Sequence, residues 1–155
     1  MHRPTLLKSQ IRDVEFGENV KIVEPVNVYG CKIESDCFIG PFVEIQKDVS
    51  IGQGTKVQSH TFICELVTIG KHCFIGHGVM FVNDRFATGG PANGDKSQWK
   101  RTDIGNNVSI GSNVTILPVS ICDNVVIGAG AVVTKPIHKA GIYAGNPAKL
   151  LRDLR

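Results

Sequence analysis

No long apolar stretch interrupts these 155 residues. A membrane-spanning helix needs about 20 consecutive apolar residues, and runs such as Val125-Val126-Ile127 fall far short of that. The opening MHRPTLLKSQ also lacks the apolar region of a secretory signal, so a cytoplasmic protein without a membrane span is expected. The five cysteines include no CxxC pair, and an odd number does not build a disulfide framework. Reduced thiols follow. A net charge of only +3 is too small to argue for a nucleic-acid partner. What charge there is gathers at one end, where residues 135–155 carry Lys135, Lys139, Lys149, Arg152 and Arg155 against Asp153 alone. Helical periodicity is missing as well, and what replaces it decides the fold.

An aliphatic residue returns every sixth position: Ile33, Ile39, Ile45, Ile51, Val57, Ile63, Ile69, Ile75, Phe81, then Ile104, Ile110, Ile116, then Ile121, Ile127, Val133. Four positions after each comes a small or β-branched residue, such as Cys37, Val43, Thr55, Thr61 or Cys73. One large and one small inward position, two residues apart, make a short strand. Gly with Asn, Asp, Gln or His between them supplies a bend. Three such hexads closing on themselves form an 18-residue triangular coil, in which Ile33, Ile51 and Ile69 stack in one column, Ile39, Val57 and Ile75 in the next, and Ile45, Ile63 and Phe81 in the third.

Phe16, Ile22 and Val28 extend the columns backwards if the step from Val28 to Ile33 is five residues, as is the step from Ile116 to Ile121. The expected architecture is all-β: a parallel β-helix of about six triangular coils, about 29 Å tall at the spacing of stacked strands. Residues 1–155 form one domain. Residues 1–15 are expected to cap one end, residues 136–155 to cap the other with a short C-terminal helix, and residues 82–103 to form a long inserted loop. Periodicity leaves the handedness of the coil open. The step from Phe81 to Ile104 is 23 where six would continue the pattern, so 17 residues are inserted, and a loop of that length in a compact solenoid is a functional candidate.

Repeats of the form IGxxVxI, the run GAGAVVTK (Gly128 to Lys135) and the closing AGNPAKLLR (Ala144 to Arg152) resemble the left-handed β-helix hexapeptide-repeat acyltransferases across essentially the whole chain. Within that family, Val57 to Asp84 with the loop ending in Trp99 is most similar to the sugar-nucleotide N-acetyltransferases. The resemblance implies a left-handed coil and direct attack of the amine of a nucleotide-linked amino-deoxysugar on the thioester of acetyl-CoA, in surface-polysaccharide synthesis and without a metal. It also implies a homotrimer with the coenzyme between neighbouring prisms. One departure is visible: relatives often read ILPGVTIG where this chain reads ILPVSICD, one residue shorter.

Acetyl transfer to an amine needs a lone pair, a place for the proton and donors for an oxyanion. His60 and His77 fall at the corner between the second and third faces, and His60, in the family's QSH context, is the candidate base or amine-orienting group. Asn83 and Asp84, which match the family's Asn after Met-Phe-x, are candidates to hold the amine or the carbonyl. Arg85, Lys96, Lys100 and Arg101 could meet a diphosphate, and Trp99 could stack on a base or sugar. The resemblance assigns the coenzyme to Gly111, Ala129, Lys135, Asn146, Pro147, Lys149 and Arg152. Cys37 and Cys73 are expected to be core residues. Three other readings stay open: an O-acetyltransferase acting on a sugar or serine hydroxyl, a γ-class carbonic anhydrase built on the five-residue spacing of His72 and His77, and a non-catalytic scaffold.

Overall fold

The computed structural model describes residues 3–154; Met1, His2 and Arg155, placed at the sequence level in the two caps, lie outside the described residues. The chain coils into a left-handed triangular β-helix of about seven turns whose three faces are parallel sheets. The expected columns hold throughout. On the first face Phe16, Ile33, Ile51, Ile69, Ile104 and Ile121 stack in register. The second stacks Ile22, Ile39, Val57, Ile75, Ile110 and Ile127, and the third stacks Val28, Ile45, Ile63, Phe81, Ile116 and Val133.

The coil is one turn longer than six. At the start, strand Ile11–Arg12 pairs with strand Asn27–Tyr29 and puts Ile11 in the third column. At the end, Ile137 bridges Ile121 and strand Gly141–Ala144 pairs with strand Val125–Ile127, so Ile137 and Tyr143 continue the first and second columns. Both extensions escaped the pattern because the steps leading into them contract, from Ile11 to Phe16 and from Val133 to Ile137. The expected C-terminal helix is absent. Strand Lys149–Arg152 instead folds back antiparallel on Gly141–Ala144, which satisfies that sheet edge with backbone hydrogen bonds. In the segment expected to cap the other end, Leu6 and Leu7 are 83% and 91% exposed.

The core is a stack of isoleucines and valines that are almost wholly buried, each contributing about 1.5–3 kcal/mol relative to an exposed side chain. Cys37 and Cys73 fill small inward slots as expected. Burial pushes the Cys31 thiol up to about 11 and that of Cys64 to about 12, and a thiol held protonated is a poor nucleophile. Neighbouring coils approach so closely at the corner after Ile69 that a Cβ on Gly70 would lie 2.5 Å from the Gly105 carbonyl oxygen. Inward hydroxyls are tied down in the same manner. Thr55 Oγ1 donates to the Gly70 carbonyl at 2.8 Å and accepts from the Cys73 N–H at 3.0 Å, and Thr61 Oγ1 donates to the Gly76 carbonyl. Thr102 is the exception among the described residues: its buried hydroxyl has no partner. The equivalent carbonyl one coil on belongs to Leu117, at the corner where the chain takes the short step to Ile121.

Candidate functional site on two edges of one face

The corner between the second and third faces turns by placing one residue per coil in the left-handed region: Phe42 (φ 60°), His60 (φ 64°), Gly78 (φ 63°), Asn113 (φ 59°) and Gly130 (φ 70°). A backbone ladder joins successive coils there, with the Gly78 N–H donating to the Ser59 carbonyl, Asn113 to His77 and Gly130 to Ser112. For a bulky L-residue that backbone costs about 1–2 kcal/mol, and the same conformation recurs at the other two corners, at Asp36, Asp48, Leu66 and His72 among others, so it belongs to the coil's turn. Here it aims two rings outward. His60 stacks on Phe42 at 4.9 Å between ring centroids, and His60, Phe42 and His77 are all exposed. Phe42 was not picked out from the sequence, although it precedes His60 by eighteen residues, one full coil.

Farther along the same edge lie residues that the resemblance assigned to the coenzyme. Gly111 packs under Ala129, its N–H donating to the Ile127 carbonyl at 2.8 Å. The turn holding Asn146 and Pro147 is hung on the last third-face strand by Val132 N–H to Gly145 carbonyl and Ala148 N–H to Val132 carbonyl. Lys149 and Arg152 are exposed on the closing strand. The structure thus lines up His60, His77, Gly111, Ala129 and the Asn146–Pro147 turn along one edge of the prism.

Asn83, Asp84, Arg85, Trp99, Arg101 and Lys135 stand on the opposite edge of the third face, between the third and first faces. The inserted segment leaves after strand Met80–Phe81 and returns at strand Thr102–Ile104. Asp84 closes its neck, one carboxylate oxygen accepting the Phe86 N–H at 2.8 Å and the other the Ala92 N–H at 2.7 Å, with Ala92 buried. Asn83 donates its side-chain amide to the Glu65 carbonyl at 3.3 Å, and its own carbonyl accepts from Lys100 N–H. A short 3₁₀ turn, Lys96–Gln98, is capped by Asp95.

Three of the four cations foreseen as diphosphate contacts act in this structure as braces, and Lys100 is exposed. Lys96 pairs with Glu65 at 2.7 Å and lies 5.2 Å over the half-buried Trp99 ring. Arg85 donates to the Pro118 carbonyl, and Arg101 bridges Asp103 and the Thr68 hydroxyl. Glu65 was missed in the sequence because nothing in the repeat announces which corner residue a loop will fold onto.

Within one protomer, then, the histidines and the Asn83–Asp84 pair bracket the third face and do not meet. His72 turns the corner between the first and second faces, away from His77, and no three His, Cys, Asp or Glu side chains among the described residues converge as metal ligands would. The described residues contain no helix long and apolar enough to cross a membrane.

Comparison with known proteins bears on the same features. The model of the bacterial transferase hexapeptide (six repeats) matches residues 30–65, and that of the hexapeptide repeat of succinyl-transferase matches residues 101–135. The galactoside O-acetyltransferase of Escherichia coli is 54% identical over 52 residues, 33% of this chain and 26% of that protein. The bifunctional protein GlmU of Streptococcus uberis is 30% identical over 96% of this chain but only 30% of its own length. The chain therefore spans between about a quarter and a third of these relatives.

Among solved structures, a galactoside acetyltransferase in complex with coenzyme A superposes with a TM-score of 0.65 at 30% identity, over 93% of this chain and 66% of that one. AntD, an N-acyltransferase from Bacillus cereus in complex with dTDP and coenzyme A, has a TM-score of 0.80 at 20% identity, over 91% and 84%; at that identity the likeness is one of fold. The six-residue repeat, the triangular coil it builds and the matches to both halves of the coil agree: the chain belongs to the hexapeptide-repeat transferase family.

Proposed function

We propose that this protein transfers the acetyl group of acetyl-CoA to the amino group of a nucleotide-linked amino-deoxysugar. The acceptor nitrogen attacks the thioester carbon, the tetrahedral oxyanion collapses, and the coenzyme leaves as a thiolate that takes up the amine's proton. His60, with His77 beside it, orients or deprotonates the amine. Asn83 and Asp84 hold it from the opposite side, the amide as hydrogen-bond partner and the carboxylate as counter-charge to an ammonium. The coenzyme runs along the edge of Gly111 and Ala129 toward the Asn146–Pro147 turn, with Lys149 and Arg152 of the same copy, and Lys135 from the loop edge of its neighbour, for its phosphates. Arg85, Trp99 and Arg101 of the inserted segment select the acceptor. The two halves of this set bracket one face, so the reading includes a homotrimer in which one copy's histidine edge meets its neighbour's loop edge. The acetyl-CoA complex of an acetyltransferase from Vibrio cholerae at 25% identity and the coenzyme A complex of a galactoside acetyltransferase support the donor. The dTDP in AntD and the GDP-perosamine bound to a perosamine N-acetyltransferase from Caulobacter crescentus support the acceptor class.

One observation carries the choice of an amine over a hydroxyl. His60 is stacked on a phenylalanine, and within one protomer the hydrogen bonds of the described residues include none that its ring donates to a carboxylate. A hydroxyl acceptor needs a strong base, usually an imidazole held by a carboxylate, whereas a neutral amine needs only orientation. The O-acetyl alternative rests on the 52-residue match to galactoside O-acetyltransferase. A panel of amino-deoxysugar nucleotides and their hydroxyl counterparts, each mixed with acetyl-CoA while free thiol is followed, separates the two. Thiol release is expected with an amine acceptor, and release with hydroxyl acceptors alone would overturn the proposal.

A further inference from the structure

The two ends of the prism are finished differently. At the C-terminal end the antiparallel strand Lys149–Arg152 covers the second-face edge. At the other end strands Ile11–Arg12, Glu15–Phe16 and Lys21–Ile22 are the terminal strands of all three sheets, and their outward backbone groups are a ready template for another strand. Side chains that are core residues in every later coil stand in the open here: Phe16 is 45% exposed, and an open groove lined by Ile11, Phe16, Val20 and Ile22 crosses the end.

The segment that could cover this groove leaves both its leucines exposed. Ser9 is tied to the Val26 carbonyl at 2.9 Å and Gln10 accepts from the Val28 N–H, so the chain enters along the third-face edge, and residues 3–8 ahead of it are exposed. Covering its own end would require a reversal at the pinned Ser9. Extended, those six residues reach about 20 Å. They carry the adjacent leucines Leu6 and Leu7 together with the cations Arg3 and Lys8 and no acid. The first coil carries the opposite balance, with Asp13, Glu15, Glu18 and Glu24 against Lys21 and an Arg12 already engaged with Tyr29 and Asn27.

We propose that residues 3–8 of one copy lie across the open end of a second copy, reciprocally, so that two prisms associate N-terminal end to N-terminal end. Leu6 and Leu7 fill the groove beside Phe16 and Ile22, the leader's backbone adds to an open sheet edge, and Arg3 and Lys8 meet Glu15 and Glu18. The contact is isologous and self-limiting, and it lies on a surface separate from the third-face edges that carry the proposed chemistry.

Light scattering coupled to size exclusion tests this without reference to turnover. The double variant Leu6→Asp/Leu7→Asp, which touches no core residue, is expected to have half the wild-type mass, with an unchanged circular-dichroism spectrum. Arg3→Glu/Lys8→Glu is expected to halve the mass as well, and adding Glu15→Lys/Glu18→Lys to that chain to restore it. Equal masses for the wild type and the leucine variant would overturn the proposal, as they would if the leader folded back onto its own end. Failure of the charge reversal to restore the mass would overturn it too.

Discussion

The corner between the second and third faces and the corner between the third and first obey different rules. Every step across the former is six residues, from Ile22 to Val28 through to Ile127 to Val133. Across the latter the steps run five, five, six, six, twenty-three, five and four, from Ile11 to Phe16 through to Val133 to Ile137. The columns nevertheless stay in register on both sides, Ile69 opposite Ile104 across the long segment. Left-handed residues and coil-to-coil hydrogen bonds occur at both corners, at Asp13, Gly30, Asp48 and Leu66 as well as at Phe42, His60, Gly78, Asn113 and Gly130, but of the two only the strict corner carries them at an unchanged six-residue step. Its side chains are therefore placed by the repeat itself. The tolerant corner is where length can change at little entropic expense, and its side chains are placed by contacts peculiar to one loop.

That contrast can be broken most severely by changing the length of the strict corner. One residue inserted between Gln58 and Ser59 shifts the following strand by one position and turns its inward side chains outward. Loss of the cooperative thermal transition is expected, whereas deleting residues 87–90 from the inserted segment should leave the transition in place.

A smaller effect is expected from Asp84→Ala, which removes the acceptors of two backbone N–H groups at the neck of the loop. A loss of about 1–3 kcal/mol per unsatisfied buried group is the usual scale, and Ala92 N–H is the buried one of the two. The expected signature is local: faster amide exchange and proteolysis between residues 85 and 101, with the coil's protection unchanged.

The smallest effect sharpens the comparison at single-atom level. Thr55→Val strands the Gly70 carbonyl and Cys73 N–H at a regular position and should cost about 1–2 kcal/mol, while Thr102→Val, beside the shortened step, removes a hydroxyl that has no partner and should be neutral or stabilising. Denaturant midpoints of the two variants check the sign of each.

The same division explains what could be read from the sequence. Eighteen of the columns' members follow from the six-residue rhythm, and with them the placement of His60 and His77 on one corner, because a strict period fixes direction as well as position. Ile11, Ile137 and Tyr143 were hidden by contracted steps at the tolerant corner. The closing segment read as a helix because NPAKLLRDLR has no period-two alternation, yet the open edge of the second-face sheet supplies pairing that outweighs local preference. In the inserted segment the residue types were legible but their partners were not: Lys96 with Glu65, Arg85 with Pro118 and Asp84 with Ala92 are contacts made across 8 to 33 positions of sequence by a segment that carries no repeat.

The central claim is that the histidine edge of one copy works with the loop edge of another, and mixing two damaged proteins tests it most directly. His60→Ala and Asn83→Ala, each expected to be slowed at least about tenfold as general acid–base and positioning groups usually are, are unfolded together in equal amounts, refolded and assayed. If the site is shared, random assembly returns about a quarter of the wild-type rate, since one interface in four pairs an intact His60 with an intact Asn83. A mixture no faster than the average of its two components would contradict the account.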